Sequence, residues 1–277
     1  MPVVHAIVLG IVQGLTEFLP VSSSGHLVLV PWLFGWDDLA RDPELKLTFD
    51  VALHAGTFVG AAAYFRRDLT ALGAAAVRSL RRRSVQEQDE RLAWLLLVAS
   101  LPTAVVGVVL DSLLRDRVGP EWLIGVLLVA FGVVLWWADR LPGRLDQDRF
   151  RLCHALLMGT AQAAALQPGV SRSGATISMG RWLGFERDAA ARLSFLMSLP
   201  IIGGVGVYKG LEVMAEGGLP PGLAAAFASG MVASGVTGFA AVWGLLRLVR
   251  RRSFAPFVAY RMVAGTAVVA VAASSLR

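Results

Sequence analysis

Gln13 and Glu17 are four residues apart, and across Pro20 they are followed by Ser22-Ser23-Ser24-Gly25-His26. Spacing i, i+4 puts the amide and the carboxylate on one helical face. On a membrane helix, which the composition below requires, an ionised carboxylate costs about 2.5–3.5 kcal/mol on insertion scales, so it faces a partner or a water-filled cavity. The three serines read as the start of a helix, where a hydroxyl caps the end and unpaired N–H groups with the positive dipole face an anion. His26, one turn in and beside these hydroxyls, has the side chain for general acid or base work. Further on, Pro168-Gly169-Val170-Ser171-Arg172-Ser173-Gly174-Ala175-Thr176 sets hydroxyls around a second helix start, now with a guanidinium. Arg172 offers a permanently charged, planar donor fork suited to phosphate oxygens. A purely electrostatic role, neutralising Glu17, is its competing reading. Two such helix starts form an anion cradle, with phosphate as the fitting occupant and Glu17 left to bind a divalent cation or act as base.

The two stretches are copies of one another. His5/His154, Ala6/Ala155, Gly10/Gly159, Gln13/Gln162, Val21/Val170, Ser22/Ser171, Ser24/Ser173 and Gly25/Gly174 coincide at a constant offset of 149 residues. The matches are Gly, Ser and Gln in an apolar chain, not the Leu and Val that any membrane helix shares. The mismatches, Glu17 and His26 against Arg172, suggest a division of labour.

The chain that must position these groups has 277 residues, of which 56% are hydrophobic and 17% charged, with mean hydropathy +0.62. That is too apolar for a soluble domain. Apolar runs near the ~20 residues of a bilayer span make it a polytopic membrane protein. Glu17 in the first apolar run, with no basic segment before it, argues against a signal peptide. The single cysteine, Cys153, excludes an internal disulfide and reads as inert packing. A net charge of +6 does not indicate nucleic acid, because the arginines sit in short loops between spans, the positive-inside pattern.

Breaks at Gly, Pro and charge give ten helical pieces, roughly 3–19, 22–35, 48–65, 93–111, 120–138, 152–166, 172–184, 190–210, 223–246 and 255–273. The expected fold is all-α, with about six transmembrane helices plus two re-entrant hairpins, 3–35 and 152–184. Short broken helices in matching halves point to a site near the midplane. Three complete spans between the hairpins invert the second copy, so the single domain 1–277 is an inverted-topology repeat of about 1–138 and 150–277. Arginines in 66–92, 139–151 and 247–252, with Arg187 and Arg192, place those segments inside. The loops 36–47, 112–119 and 211–222, balanced or acidic, lie outside with both termini. Gly10-x-x-x-Gly14 and Gly56-x-x-x-Gly60 allow close helix contact, within one chain or between the copies of a homodimer.

Gln13-x-x-x-Glu17 with Phe18-Leu-Pro-Val-Ser-Ser-Ser-Gly-His26, together with Pro168-Gly-Val-Ser171-Arg172-Ser173-Gly-Ala-Thr176, closely resembles the undecaprenyl-pyrophosphate phosphatases of the bacitracin-resistance type. The resemblance covers the whole chain in length and span order. It implies hydrolysis of undecaprenyl diphosphate to the monophosphate carrier of peptidoglycan synthesis, in the bacterial plasma membrane, with Mg²⁺ or Ca²⁺ and a site open to the outer face. The family motif often begins with Glu where Gln13 stands here, which leaves Glu17 as the sole obvious metal-binding carboxylate on that helix. A further family segment appears as Phe49-Asp50-Val-Ala-Leu-His54-Ala-Gly-Thr57; Asp50, His54 and Gln162 are expected to support the site from behind.

On this reading Ser22, Ser24, Gly25, Ser171, Arg172, Ser173, Gly174 and Thr176 hold phosphate, Glu17 with Gln13 holds the cation, and Glu17, Ser23, His26 and Arg172 are catalytic. Attack comes from Ser23 activated by His26, or from a metal-bound water with Glu17 or His26 as base. The three-residue spacing of Ser23 and His26 favours the first. The partners are a polyprenyl diphosphate and membrane lipid. A polyprenyl-phosphate flippase or transporter using the same cradle is the alternative, since inverted repeats with broken helices are also a transporter's architecture.

Overall fold

The computed structural model describes residues 1–38, 42–109, 120–215 and 218–274. Among them run eleven α-helices: α1 (Val3–Phe18), α2 (Ser23–Phe34), α3 (Pro43–Tyr64), α4 (Arg66–Arg82), α5 (Gln88–Val109), α6 (Glu121–Arg140), α7 (Leu152–Ala164), α8 (Arg172–Trp182), α9 (Arg187–Ala215), α10 (Ala224–Val249) and α11 (Ala255–Ala273). The expected outside loop 112–119 lies beyond the described residues.

Five helices, α5, α6, α9, α10 and α11, are long and apolar enough to cross a membrane. Apolar side chains such as Leu101 and Val105 on α5 and Val232 and Val236 on α10 stand exposed on their outer faces, the surface a lipid solvent favours. The sixth expected span, α3, is 22 residues long but less apolar. It starts five residues earlier than expected, because Asp42 accepts Leu45 N at 2.9 Å and Pro43 takes the first helical turn. Glu44, Lys46 and Asp50 therefore fall within its first two turns.

The basic stretch 66–92, expected as a loop, is largely the helix α4. Leu72 and Ala75 are buried on one side while Arg66, Arg67, Arg78, Arg81 and Arg82 stay exposed on the other, the stripe of an amphipathic surface helix. Cys153, expected as packing, is exposed at the start of α7.

The hairpin helices are short. α1, α2, α7 and α8 have 16, 12, 13 and 11 residues. At about 1.5 Å per residue the longest spans about 24 Å, less than the ~30 Å hydrocarbon core. The break between α1 and α2 ends at Ser22 and that between α7 and α8 at Ser171, and these two residues have φ of 75° and 72°. A positive φ on a non-glycine residue is strained by about 1–3 kcal/mol and persists only where the surroundings hold it. Here each serine caps its helix, Ser22 Oγ accepting Gly25 N at 3.3 Å and Ser171 Oγ accepting Gly174 N at 3.1 Å. Residues 149 apart thus share one unusual backbone conformation and one cap.

Packing repeats the duplication with an exchange of partners. α1 and α3 lie on α10, whereas α7 and α9 lie on α5, and α6 pairs with α11. The fifth-helix counterpart of each copy therefore supports the other copy's hairpin. Glycines make the approach close. A Cβ at Gly10 would come within 2.3 Å of Gly230 O, and one at its counterpart Gly159 within 2.4 Å of Ala99 O. Gly14, Gly56 and Gly60 likewise face α10 backbone atoms at under 3 Å. Both glycine stripes are therefore occupied inside one chain, which removes them as contacts for a second copy.

Arg261 on α11 closes the centre. Its fully buried guanidinium donates to five carbonyls: Leu128 O at 3.0 Å and Leu127 O at 3.3 Å on α6, Pro20 O at 3.1 Å in the first break, and Gly169 O at 3.0 Å and Val170 O at 3.1 Å in the second. Pro20 and Gly169 are repeat counterparts. Breaking a helix frees carbonyls that lipid cannot satisfy, and one side chain satisfies those of both breaks. A Cβ on Gly174 would sit 3.1 Å from Arg261 Nη1, so glycine there leaves the fork its room.

Two outcomes are expected. Gly10→Val and Gly159→Val each force a side chain onto a backbone carbonyl and lower the thermal midpoint in detergent, whereas Gly244→Ala, with open space around it, leaves it unchanged or higher. Arg261→Lys keeps the charge but loses the fork, leaving buried carbonyls unpartnered at about 1–3 kcal/mol each. A drop of at least about 4 °C is expected; an unchanged midpoint would show that the carbonyls do not depend on the guanidinium.

Candidate active site

The two breaks meet. Gly169 N donates to Ser22 Oγ at 3.1 Å, and Ser173 Oγ donates to Leu19 O at 3.0 Å. Between them lies Glu17, on the last turn of α1 and only 5% exposed. Its Oε1 accepts Arg172 Nη2 at 2.5 Å. Its Oε2 accepts Gln13 Nε2 at 2.9 Å and the Ser23 hydroxyl, and lies 3.5 Å from His54 Nε2. Gln13 and Glu17 thus share a face as their spacing predicts, and Glu17 is the point where α1, α2, α3 and α8 converge. Removing one partner of a buried ion pair leaves an uncompensated charge, at roughly 3–5 kcal/mol.

Ser23 bonds to Glu17, not to His26. The expected Ser23–His26 pair is absent because His26 turns the other way: Nδ1 meets Ser22 O at 2.7 Å and Nε2 meets the Tyr260 hydroxyl at 2.6 Å. Three residues of helix put Ser23 and His26 on one turn, but the ring bonds the Ser22 carbonyl, which also accepts His26 N at 3.2 Å.

Of the hydroxyls expected on phosphate, several are engaged elsewhere. Ser22 Oγ accepts both Gly25 N and Gly169 N, and Ser171 Oγ accepts Gly174 N. Ser173 is bonded to Leu19 O, and Thr176, fully buried, donates to Arg172 O at 2.8 Å and meets Ser194 Oγ at 2.6 Å. These four build the cradle. The partly exposed side chains are Ser23, Ser24 and Arg172; with the N-terminal amides of α2 and α8 they form its open side. Gly25 and Gly174 lie in those first turns, and a Cβ at either would come within about 3 Å of its neighbours.

The supporting residues divide. His54 reaches Glu17 with Nε2 while its Nδ1 donates to Asp50 O at 2.7 Å. The Asp50 carboxylate instead pairs with Lys46 Nζ at 2.8 Å. Gln162, the counterpart of Gln13, does not reach the site: its Nε2 donates to Thr103 Oγ1 on α5 at 3.1 Å. In its copy Leu166 stands where Glu17 stands, so the amide has no carboxylate to serve.

Among the described residues no three His, Cys, Asp or Glu side chains gather into a ready-made cation cage. The donors beside Glu17 are nonetheless of the hard type. Gln13 Oε1 is buried without a hydrogen-bond partner, next to a carboxylate, and Mg²⁺ is commonly held by one or two protein oxygens together with substrate phosphates.

Tyr260 and Arg261 were not singled out by their sequence context. They sit in an apolar run on α11, and the only signal was an arginine and a tyrosine in the middle of a membrane-length helix.

Residues 6–267 match the family described as bacitracin resistance protein BacA. Curated relatives cover nearly the whole chain. A Geobacter sulfurreducens protein is 49% identical over 98% of both chains, and one from Pelobacter propionicus is 47% identical over 98% of this chain and 97% of its own. A third, from Pelotomaculum thermopropionicum, is 45% identical over 99% of this chain and 98% of its own; all three are named undecaprenyl-diphosphatase. A membrane chain with this helix order and this pair of motifs, matched from end to end, belongs to the bacitracin resistance protein BacA family.

Proposed function

We propose that this chain is a membrane phosphatase that hydrolyses undecaprenyl diphosphate to undecaprenyl phosphate and inorganic phosphate. One observation carries the reading: the Ser23 hydroxyl is bonded to a buried carboxylate, Glu17, which is itself paired with Arg172 between two helix N-termini. The names of the full-length relatives agree with it. A lipid carrier needs the cradle but has no use for a nucleophile bonded to its base, so the transporter reading is not favoured.

The chemistry follows from the contacts. Arg172 and the first-turn amides of α2 and α8 bind the terminal phosphoryl group and the charge that develops on it. Ser23 Oγ attacks phosphorus while its proton passes to Glu17, and the P–O bond to the lipid monophosphate breaks. Glu17 gives that proton to the departing lipid phosphate; water then attacks the phosphoserine, passing its proton to Glu17, which returns it to Ser23 Oγ as phosphate leaves. Gln13 Oε1 and Glu17 would hold Mg²⁺ or Ca²⁺, which when bound supplies charge neutralisation on the phosphate oxygens. His54 steadies the Glu17 carboxylate from α3.

The isoprenoid chain needs an apolar path from this site. Phe58 lies one turn beyond His54 on α3 and, with Ala55, opens an apolar cavity of about 660 Å³ lined further by Leu72, Leu96, Leu199 and Gly206. The arginine distribution supports a bacterial plasma membrane orientation with α4 and 139–151 inside, both termini outside, and the two hairpins entering from opposite faces.

Two measurements test the reading. In a phosphate-release assay Glu17→Gln, Ser23→Ala and Arg172→Lys should each lower turnover by about a hundredfold or more. Phosphoserine at Ser23 should be trapped on acid quench; turnover retained in Ser23→Ala would transfer the attack to water. Gly206→Leu has room, since the nearest atom to its Cβ is 4.0 Å away. It should raise KM for undecaprenyl diphosphate by roughly tenfold while leaving farnesyl diphosphate unaffected; equal effects on both would place the tail elsewhere.

A further inference from the structure

His26 is 8% exposed and has both ring nitrogens occupied. The Ser22 carbonyl can only accept, so at 2.7 Å Nδ1 must carry a hydrogen. In the neutral ring Nε2 is then the acceptor, and the Tyr260 hydroxyl at 2.6 Å must be its donor. The rings lie nearly parallel, 20° apart with centroids 5.7 Å apart. Ser23, the group a catalytic histidine would be expected to serve, is bonded to Glu17.

We propose that Tyr260 is a positioning residue for His26, and that His26 acts through the Tyr260 hydroxyl and not on Ser23. The only basic atom of the ring is the one Tyr260 covers. A proton that reaches Nε2 reverses the bond: the imidazolium donates to the phenol oxygen, and the phenol hydrogen turns away from the ring. No covalent bond to carbon or phosphorus changes in that step. Tyr260 is 45% exposed, so the phenol is not enclosed on every side once its hydrogen leaves the ring. Arg261, the next residue on α11, is held by five carbonyls and fixes the register that brings the phenol to the ring.

The kinetic half of the test rests on the phosphatase reading, and the spectroscopic half does not. Full-length protein labelled with [¹⁵N]histidine has four histidines, and His26→Gln assigns the resonance of His26. The expected wild-type ring is protonated at Nδ1, with an Nε2 resonance that moves downfield in Tyr260→Phe as its donor is lost. A proton found on Nε2 of the neutral ring, or an Nε2 resonance unmoved by Tyr260→Phe, overturns the proposal. In phosphate release Tyr260→Phe should lower kcat by about tenfold with KM changed less than about twofold. Added to His26→Gln it should lower kcat by less than about twofold more. Losses that multiply would show that Tyr260 acts independently of His26. A wild type that releases no phosphate would sink the phosphatase reading and leave the spectroscopic result standing.

Discussion

A helix broken inside lipid leaves carbonyls that nothing in the solvent can satisfy, and this chain breaks two of them at one place. The Arg261 guanidinium is the device that makes the double break tolerable. It bonds Pro20 O from one hairpin and Gly169 O and Val170 O from the other, and it anchors them to α6 through Leu127 O and Leu128 O. A lysine could carry the charge but not the geometry, because five carbonyls converge on a planar fork. Glu17 and Arg172 can meet because this centre holds the two breaks in register. The strained φ at Ser22 and Ser171 persists for the same reason.

Duplication explains how such a site could be assembled from so little. One hairpin supplies a capped helix start, and a second copy supplies another. Their meeting gives two sets of first-turn amides around one position. The copies then differ where chemistry requires it. Leu166 replaces Glu17 and Arg172 replaces Ser23, so one copy brings the carboxylate and hydroxyl and the other the cation. Gln162 marks the limit of the symmetry. It retains the residue type of Gln13, but without a carboxylate beside it the amide turns to Thr103 and becomes a contact between α7 and α5.

Much of this was legible in the sequence. The constant offset, the Ser caps and the Gln13–Glu17 spacing are local features, and local geometry decided them. The helix order was legible too, because apolar length is a strong signal. What escaped were consequences of long-range packing. Asp42-Pro43 is a helix start hidden inside a charged loop, and α4 has an apolar stripe too narrow to stand out among arginines. The resemblance of Ser23-x-x-His26 to a nucleophile and its base failed for a physical reason. The ring nitrogens are taken up by the Ser22 carbonyl and the Tyr260 hydroxyl, and the Ser23 hydroxyl by a carboxylate. Tyr260 and Arg261 could not be placed without knowing that α11 crosses behind both breaks.

The bonding of Ser23 to a carboxylate instead of to His26 bears on how this site handles charge. Glu17 is balanced by Arg172 and steadied by His54, Gln13 and Ser23, so it enters the reaction already compensated. A diphosphate arriving with its own negative charge competes for the same guanidinium. On the proposed mechanism, an Arg172 drawn to phosphate would leave the carboxylate a better acceptor for the Ser23 proton. Substrate binding and activation of the nucleophile would then be one event. A histidine in that position would gain no such coupling, since it carries no charge for Arg172 to release. The placement of His26 away from Ser23, against Tyr260, is consistent with the proposed division, in which the carboxylate handles the proton of attack.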